Sequence, residues 1–151
     1  MKDWLPPVIS NIIVIVGWYV VFQQAKSVKS REEIRDLVSR IDKTIDQIFS
    51  LCVDYYSEKN LGHQNFTSAD IRAKFVLLSH LLIIIKDIDV NKVISPSLVQ
   101  LRKNAMGGYF ETVEYLDQLK IPNWKSDLAA SASELQFRVE QIYFRHVGVL
   151  K

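Results

Sequence analysis

The sequence predicts an all-α protein with a single N-terminal transmembrane helix followed by a cytoplasmic antiparallel helical bundle of four helices, or five if one is broken. Residues 8–22 carry no charged side chain. Later segments place apolar residues at alternating spacings of three and four, the period of a buried helix face. Only 5 glycines and 4 prolines occur among 151 residues. We therefore expect two domains, a membrane anchor with its basic flank (1–29) and a bundle (30–151).

The predicted membrane span is short. A bilayer core ~30 Å thick needs ~20 residues of helix at ~1.5 Å per residue. The uncharged run from Val8 to Phe22 has 15 residues, and counting from Trp4 extends it to 19. Pro6 and Pro7 are compatible with this extension, because the first turn of a helix leaves its amides without internal partners.

Aromatic residues flank the predicted span. Trp4 lies at one end, and Trp18 and Tyr19 lie near the other, where such side chains anchor at membrane interfaces. A buried core helix is one alternative, but the run is apolar on every face. A cleaved signal peptide is another, but the segment 22–26 lacks the paired small residues of a cleavage site.

Flanking cations predict the orientation. Lys26, Lys29 and Arg31 follow the span, whereas Lys2 alone precedes it. This bias predicts a single-pass protein of the cell (inner) membrane, with its N-terminus outside and its C-terminal domain in the cytoplasm. The three cations could also bind anionic lipid, at ~1 kcal/mol each. The single cysteine, Cys52, agrees with a reducing compartment.

Three residues within the span suggest contacts between copies. Ser10, Asn11 and Gly17 offer the small and polar side chains that hold transmembrane helices together. A span shorter than the bilayer core can also relieve the mismatch by association. We therefore expect a homo-oligomer.

The next segment carries the strongest periodic pattern in the chain. Its three-four alternation predicts a bundle helix or an oligomer seam. The stripe consists of Ile34, Val38, Ile41, Ile45 and Ile48, continuing through Cys52 and Tyr55. It is one residue out of phase with the anchor, and Ser30 and Glu33 match a capping box. A break near Ser30 is therefore expected, although one continuous helix is the alternative.

Two further helices are expected after a loop over 57–68. The first begins at a cap within 67–70, and its apolar positions are Ile71, Phe75, Leu78, Leu82 and Ile85. Its apolar centre, 75–85, is too short to span a bilayer and predicts a core helix, with a membrane-lying segment as the alternative. The second begins at Ser95-Pro96, because proline suits the first helical position.

Glycines interrupt the second of these helices. Gly107-Gly108 predicts either a kink in one long helix or a turn between two short ones. The last helix is capped by Asn123 or Ser126. Its apolar positions are Leu128, Ala132, Leu135, Val139, Ile142, His146 and Val149.

Signatures of catalysis and of metal or cofactor binding are sparse. The net charge of +2 gives no footprint for nucleic acid, which needs a clustered basic face. No histidine has another ligand three or four residues away on the same helix face, and no glycine-rich phosphate loop is present. We therefore expect no enzyme activity, cofactor or metal.

The spacing of arginine and histidine on a helix bears on one enzyme class. Some ribonucleases of the HEPN class are small helical bundles with an arginine and a histidine on one helix, four to six residues between them. Arg138 and His146 have seven residues between them, as do Arg72 and His80. Neither pair fits that spacing.

The expected function is therefore non-enzymatic. The partners we expect are the lipid bilayer, further copies of this chain and a cytoplasmic protein, whereas nucleic acid is not expected. By analogy of architecture alone, assembled spans could form a pore or perturb the membrane, as an effector of a bacterial defence or stress system. The alternative is a membrane-tethered HEPN-like helical ribonuclease, or an accessory regulator of a partner enzyme.

Overall fold

The computed structural model describes residues 5–57, 64–84 and 88–147. Within its helices, the side chains of 5–20, 22–30, 64–66, 88–91, 93, 146 and 147 lie outside the description. The described chain is 87% helical without strands, which confirms the all-α fold class and the helical bundle. Its elements are α1 (Leu5–Tyr55), α2 (Gln64–Ile84), α3 (Ile88–Met106), a 3₁₀ helix (Tyr115–Lys120) and α4 (Trp124–Val147).

The expected break near Ser30 is wrong. Helix α1 continues from Leu5 to Tyr55. The segment 23–36 contains no glycine or proline and is rich in Gln, Lys, Arg and Glu, all good helix formers, so a change of hydrophobic phase does not interrupt the backbone. By its internal contacts the chain divides into two compact units, 1–36 and 37–151.

The predicted span coincides with the first part of α1. Trp4 lies outside the described residues. The surroundings of the other predicted site residues in this segment also lie outside the description: Ser10, Asn11, Gly17, Trp18, Tyr19, Lys26 and Lys29. Among the residues that were described, none of the helices has both the length and the apolar character needed to cross a membrane.

Within the second unit, side-chain bonds show that α1 is antiparallel to its neighbours α2 and α4. Lys74 Nζ on α2 donates to Gln47 Oε1 at 2.8 Å, whereas Tyr55, further along α1, shares a cleft with the earlier α2 residue Ser68. Contacts with α4 also run in reverse order. Gln136 Nε2 donates to Asp46 Oδ1 at 2.9 Å, and Tyr56 packs on Trp124.

Helix α3 is antiparallel to α2 and α4. Its last turns contact the start of α4, where Asn104 Nδ2 donates to the Asp127 carbonyl at 3.0 Å. Its earlier residue Pro96 shares a cleft with Arg138, further along α4. Arg72 and Phe75 line a cleft with the α3 residues 98–106. The second unit is thus an up-and-down bundle of four long helices, with the 3₁₀ helix in the last connection.

The core lies at the centre of this bundle and uses one face of each helix. On α1, Val38, Ile41, Ile45, Ile48, Cys52 and Tyr55 are all buried. The first residue of that stripe, Ile34, belongs to the other unit and is half-buried. The other helices bury Ile71, Phe75, Leu78, Leu81 and Leu82 from α2, Ile94, Leu101 and Ala105 from α3, and Leu128, Ala132, Leu135, Val139 and Ile142 from α4. The α1 stripe is therefore occupied by contacts within this chain.

Two helix starts differ from the sequence prediction. Helix α2 begins at Gln64, before the expected cap at 67–70, and Ser68 is buried inside it. Helix α3 begins at Ile88 and contains Pro96. A proline removes one internal hydrogen bond from its helix, and Ile94, which is buried at 3% exposure, ties the preceding turn to the core.

The glycine pair forms a turn. Helix α3 ends at Met106, and Gly108 has a φ of 64°. The segment after it was expected to be helical, but it consists of turns followed by the short 3₁₀ helix. At the start of α4, Asn123 has a φ of 63°, and its carbonyl accepts the Asp127 amide at 2.8 Å. Asn123 is thus the residue that precedes α4.

Candidate functional site

A layer of aromatic rings closes one end of the bundle and positions the long connection between α3 and α4. Tyr55 lies at its centre, with ring centroids 4.8 Å from Tyr56, 5.2 Å from Phe110 and 5.6 Å from Tyr115. Tyr56 in turn meets Trp124 edge to face at 4.8 Å. Aromatic pairs at these separations add stability beyond the area that they bury. The residues 107–123 are therefore held against the bundle at both ends.

Three polar atoms of this layer are paired with backbone groups, whereas the buried Tyr115 Oη has no hydrogen-bond partner among the described residues. Tyr56 Oη donates to the Ala105 carbonyl at 3.2 Å, and Trp124 Nε1 donates to the Asn104 carbonyl at 2.9 Å. Tyr55 Oη accepts the Glu111 amide at 2.9 Å. Burial is the main cause that raises the pKa of both Tyr55 and Tyr56, so each keeps its hydroxyl proton at neutral pH.

Gly108 allows the connection to turn away from the end of α3 and to pack closely against the 3₁₀ helix. Its positive φ suits glycine, and a Cβ there would lie 2.8 Å from Gln118 Oε1. Gln118 is buried, and the same oxygen accepts the Tyr109 amide at 3.4 Å. The turn and the 3₁₀ helix are thus locked to each other.

The first cleft, of about 690 Å³, lies between this connection and the start of α2. Arg72 forms an ion pair with Glu111 at its edge, and Tyr55 and Ser68 also line it. Val113 lies on its rim and is 99% exposed. An apolar side chain with almost no protein contact is thus presented at the tip of a well-anchored segment.

The second cleft, of about 320 Å³, lies between α2 and α3. Its apolar lining is formed by Phe75, Val76, Leu98, Val99 and Met106. Its charged or titratable lining is formed by Arg72, His80 and Arg102, with no carboxylate among the lining residues. Arg72 borders both clefts, so the two form one continuous surface.

Helix α2 is apolar on its exposed side as well as its buried side. Val76, Leu77, Ile83 and Ile84 are between 42% and 66% exposed. Residues seven apart lie almost above one another on a helix of ~3.6 residues per turn, so these four make two rows, about 100° apart around the helix axis. The exposed His80 lies between the two rows. We call these four residues the outer face of α2. Single exposed apolar residues are common, whereas larger exposed apolar groups are often found at interaction sites.

The structure brings only some of the sequence-based candidates together. Arg72 and His80 line the same cleft. Arg138 instead pairs with Glu134 at 2.7 Å on α4, and the side chain of His146 lies outside the described residues. Arg31 is exposed. Within the described part of the chain, no group of three or more His, Cys, Asp or Glu residues could hold a metal ion.

Three features of this surface were missed by sequence reasoning. The exposed Val113 lies in a segment expected to be helical, and Val99, 64% exposed, occupies a helix side that periodicity does not mark. Arg102 joins the second cleft only through the α2–α3 packing. A signal existed for α2, since the run of apolar residues at 81–85 is wider than one buried face requires.

Comparison with known proteins gives no relative. The chain matches no protein-family model, and no curated protein or solved structure is significantly similar to it.

Proposed function

We propose that this chain is a non-enzymatic, single-span membrane protein whose cytoplasmic bundle brings copies of the chain together. The observation that carries the association is the outer face of α2, four ordered apolar side chains that the bundle core does not use. Burying such a face on a partner removes apolar area from water at about 25 cal/mol per Å². A membrane-perturbing effector is the role to which this combination of anchor and associating bundle is best suited.

The anchor is proposed from the sequence of 4–22. Its uncharged stretch, the aromatic residues at both ends and the cations that follow it support a span with the bundle in the cytoplasm. Ser10, Asn11 and Gly17 are the proposed contacts between spans. The bundle core is complete within one chain. We therefore assign contact between copies to the span and to the outer surface of the bundle.

Membrane extraction tests the anchor. The full chain is expected to stay in the membrane fraction after an alkaline carbonate wash. Val14→Arg places a charge at mid-span, at a cost of about 3 kcal/mol, and is expected to release it. Val21→Arg is the matched control, because a long cation near the end of a span reaches the interface. Release of the unaltered chain would contradict the proposal.

Cross-linking in native membranes tests the outer face of α2. Leu77→Gln with Ile84→Gln is expected to reduce cross-linked species, since polar groups buried at an interface lose hydration. Phe137→Gln on α4, where the side chain is 55% exposed, is the matched control and is expected to have no effect. Unchanged cross-linking, with weaker membrane retention instead, would show that this face lies on lipid.

RNA cleavage is the second candidate function, favoured by the one cleft that holds Arg72, His80 and Arg102. An imidazole can accept a proton from a ribose hydroxyl, and guanidinium groups stabilise phosphate charge. If this function holds, the full chain cleaves single-stranded RNA, and His80→Ala abolishes the cleavage without changing the thermal unfolding temperature. Equal cleavage by His80→Ala and the unaltered chain would exclude it.

A further inference from the structure

The two clefts form a surface with one basic and one acidic half. The basic half is the second cleft, with Arg102 and His80 beside the exposed Val76 and Val99. The acidic half is the tip of the α3–α4 connection, where Glu111 and Glu114 flank Val113. The Arg72–Glu111 ion pair lies at the boundary between the halves.

Each half has the shape and charge that the other half would bind. The basic half is concave and apolar at its floor, with Phe75 at 5% exposure. The acidic half presents a single apolar side chain, Val113, whose 99% exposure leaves it available for burial. Opposite charges on the two halves would steer their encounter and fix their register.

The two halves cannot satisfy each other within one chain. Val113 belongs to the rim of the first cleft and is almost fully exposed there, so it does not fill the second cleft of its own chain. A second copy can supply it. A two-fold axis makes every contact occur twice, with residue i on residue j and j on i. Adjacent halves of opposite charge are therefore complementary to their own rotated copy.

We propose that two copies of this chain pair reciprocally, with the Val113 tip of each copy seated in the α2–α3 cleft of the other. Glu114 of each tip then lies against Arg102 of the facing cleft. The outer face of α2 borders the cleft and extends the contact. This inference rests on the proposed self-association of the bundle and names the surface that performs it.

The tip provides the anchor side chain of this interface. Val113 inserts between Val76 and Val99 of the other copy. The tip is kept in place because Phe110 and Tyr115, on either side of it in the chain, both pack on the Tyr55 ring. Because the tip is held before contact, little conformational freedom is lost on pairing. Burial of one such side chain per cleft removes its apolar surface from water, which favours association.

Charge reversal and mixing test the reciprocal pairing. The full chain is purified in mild detergent, and its mass is measured by light scattering at several dilutions. Arg102→Glu alone and Glu114→Arg alone each place two like-charged pairs in the interface, so each dissociation constant is expected to rise at least roughly tenfold. Mixing the two variants restores two opposite pairs in the mixed dimer, and the mixture is expected to associate as the unaltered chain does.

The double variant and a neutral control complete the design. Arg102→Glu with Glu114→Arg in one chain restores both pairs and is expected to dimerise. Lys125→Glu, a charge reversal at an exposed position on α4, is the control and is expected to leave the dissociation constant unchanged. Single reversals that leave an oligomer unchanged would overturn this inference and leave the proposed function standing. A strictly monomeric unaltered chain would overturn the self-association itself, and masses beyond two copies that fall with either reversal would replace the reciprocal pair by a head-to-tail chain.

Discussion

The shape of the α3–α4 connection depends on Gly108, which has a positive φ and packs closely on Gln118. Gly108→Ala forces a Cβ against Gln118 Oε1, at 2.8 Å, and keeps a non-glycine residue at a φ of 64°. We expect the free energy of unfolding to fall by about 1–3 kcal/mol, from backbone strain and displacement of a buried amide. Chemical denaturation measures this change.

A double-mutant cycle separates the two causes. In a Gln118→Ala background the close contact is gone, so Gly108→Ala is expected to cost only the strain of the positive φ, about 1 kcal/mol. An equal cost in both backgrounds would show that Gln118 does not contact the turn.

Cys52 reports on the integrity of the core. It is fully buried on α1, and burial raises the pKa of its thiol from 9.0 to about 12. The thiol is therefore protonated at pH 7 and enclosed, so we expect a thiol reagent to label it only after unfolding. Rapid labelling of the folded chain at pH 7, measured by mass spectrometry, would contradict the structure.

The same shift predicts a pH dependence of stability. A thiol whose pKa is higher in the folded state favours folding while it is protonated in both states. Its contribution is therefore complete below pH about 9 and is lost as the pH rises towards about 12. The raised pKa of Tyr56 acts in the same direction. A serine hydroxyl has a much higher pKa than a thiol. The Cys52→Ser variant is therefore expected to lose less stability over this pH range.

At the scale of single elements, the α1 stripe from Val38 to Tyr55 belongs to the core of one chain. Ile45 is completely buried, so Ile45→Ala is expected to lower the free energy of unfolding by about 2–5 kcal/mol through lost burial and a cavity. Phe137→Ala is the control on α4, where the side chain is 55% exposed and lies outside the proposed association face, and is expected to lower stability far less. If Ile45→Ala instead weakened association and left stability unchanged, the stripe would be an oligomer seam.

Periodicity predicted the elements whose buried face is narrow and regular. Val38 to Tyr55 on α1 and Leu128 to Ile142 on α4 follow one three-four alternation each, and the structure buries those positions. Boundaries were less predictable because tertiary contacts overrode local signals. Pro96 lies inside α3, and Ser30, despite its capping pattern, lies inside α1.

The candidate site was only partly predictable from the sequence. Arg72 and His80 share one helix and could be paired from their spacing. Arg102 and Val99 reach the same cleft from α3, and a long-range contact of this kind leaves no local pattern. The exposure of Val113 depends on a turn at Gly108 and on the 3₁₀ helix. The bond that joins them, from the Tyr109 amide to Gln118 Oε1, has no recognisable sequence signal.

At the scale of the whole molecule, a bundle that completes its own core presents an apolar outer face, and the N-terminal segment before it is proposed to be a membrane anchor. Association through that face and through Ser10, Asn11 and Gly17 in the span is the central claim. In the proposed assembly the two regions act together, because copies held in the same membrane would meet at a high effective concentration. Weakening either region alone is therefore expected to lower the affinity without removing association completely.

The mass of the full chain in mild detergent tests this claim most directly. One chain is 17.5 kDa, and light scattering is expected to give a protein mass of at least two chains that falls on dilution. Asn11→Leu with Gly17→Leu is expected to shift that fall to higher concentration, because the polar and small contacts between spans are lost. A mass of one chain at every concentration, unchanged in the variant, would contradict the account.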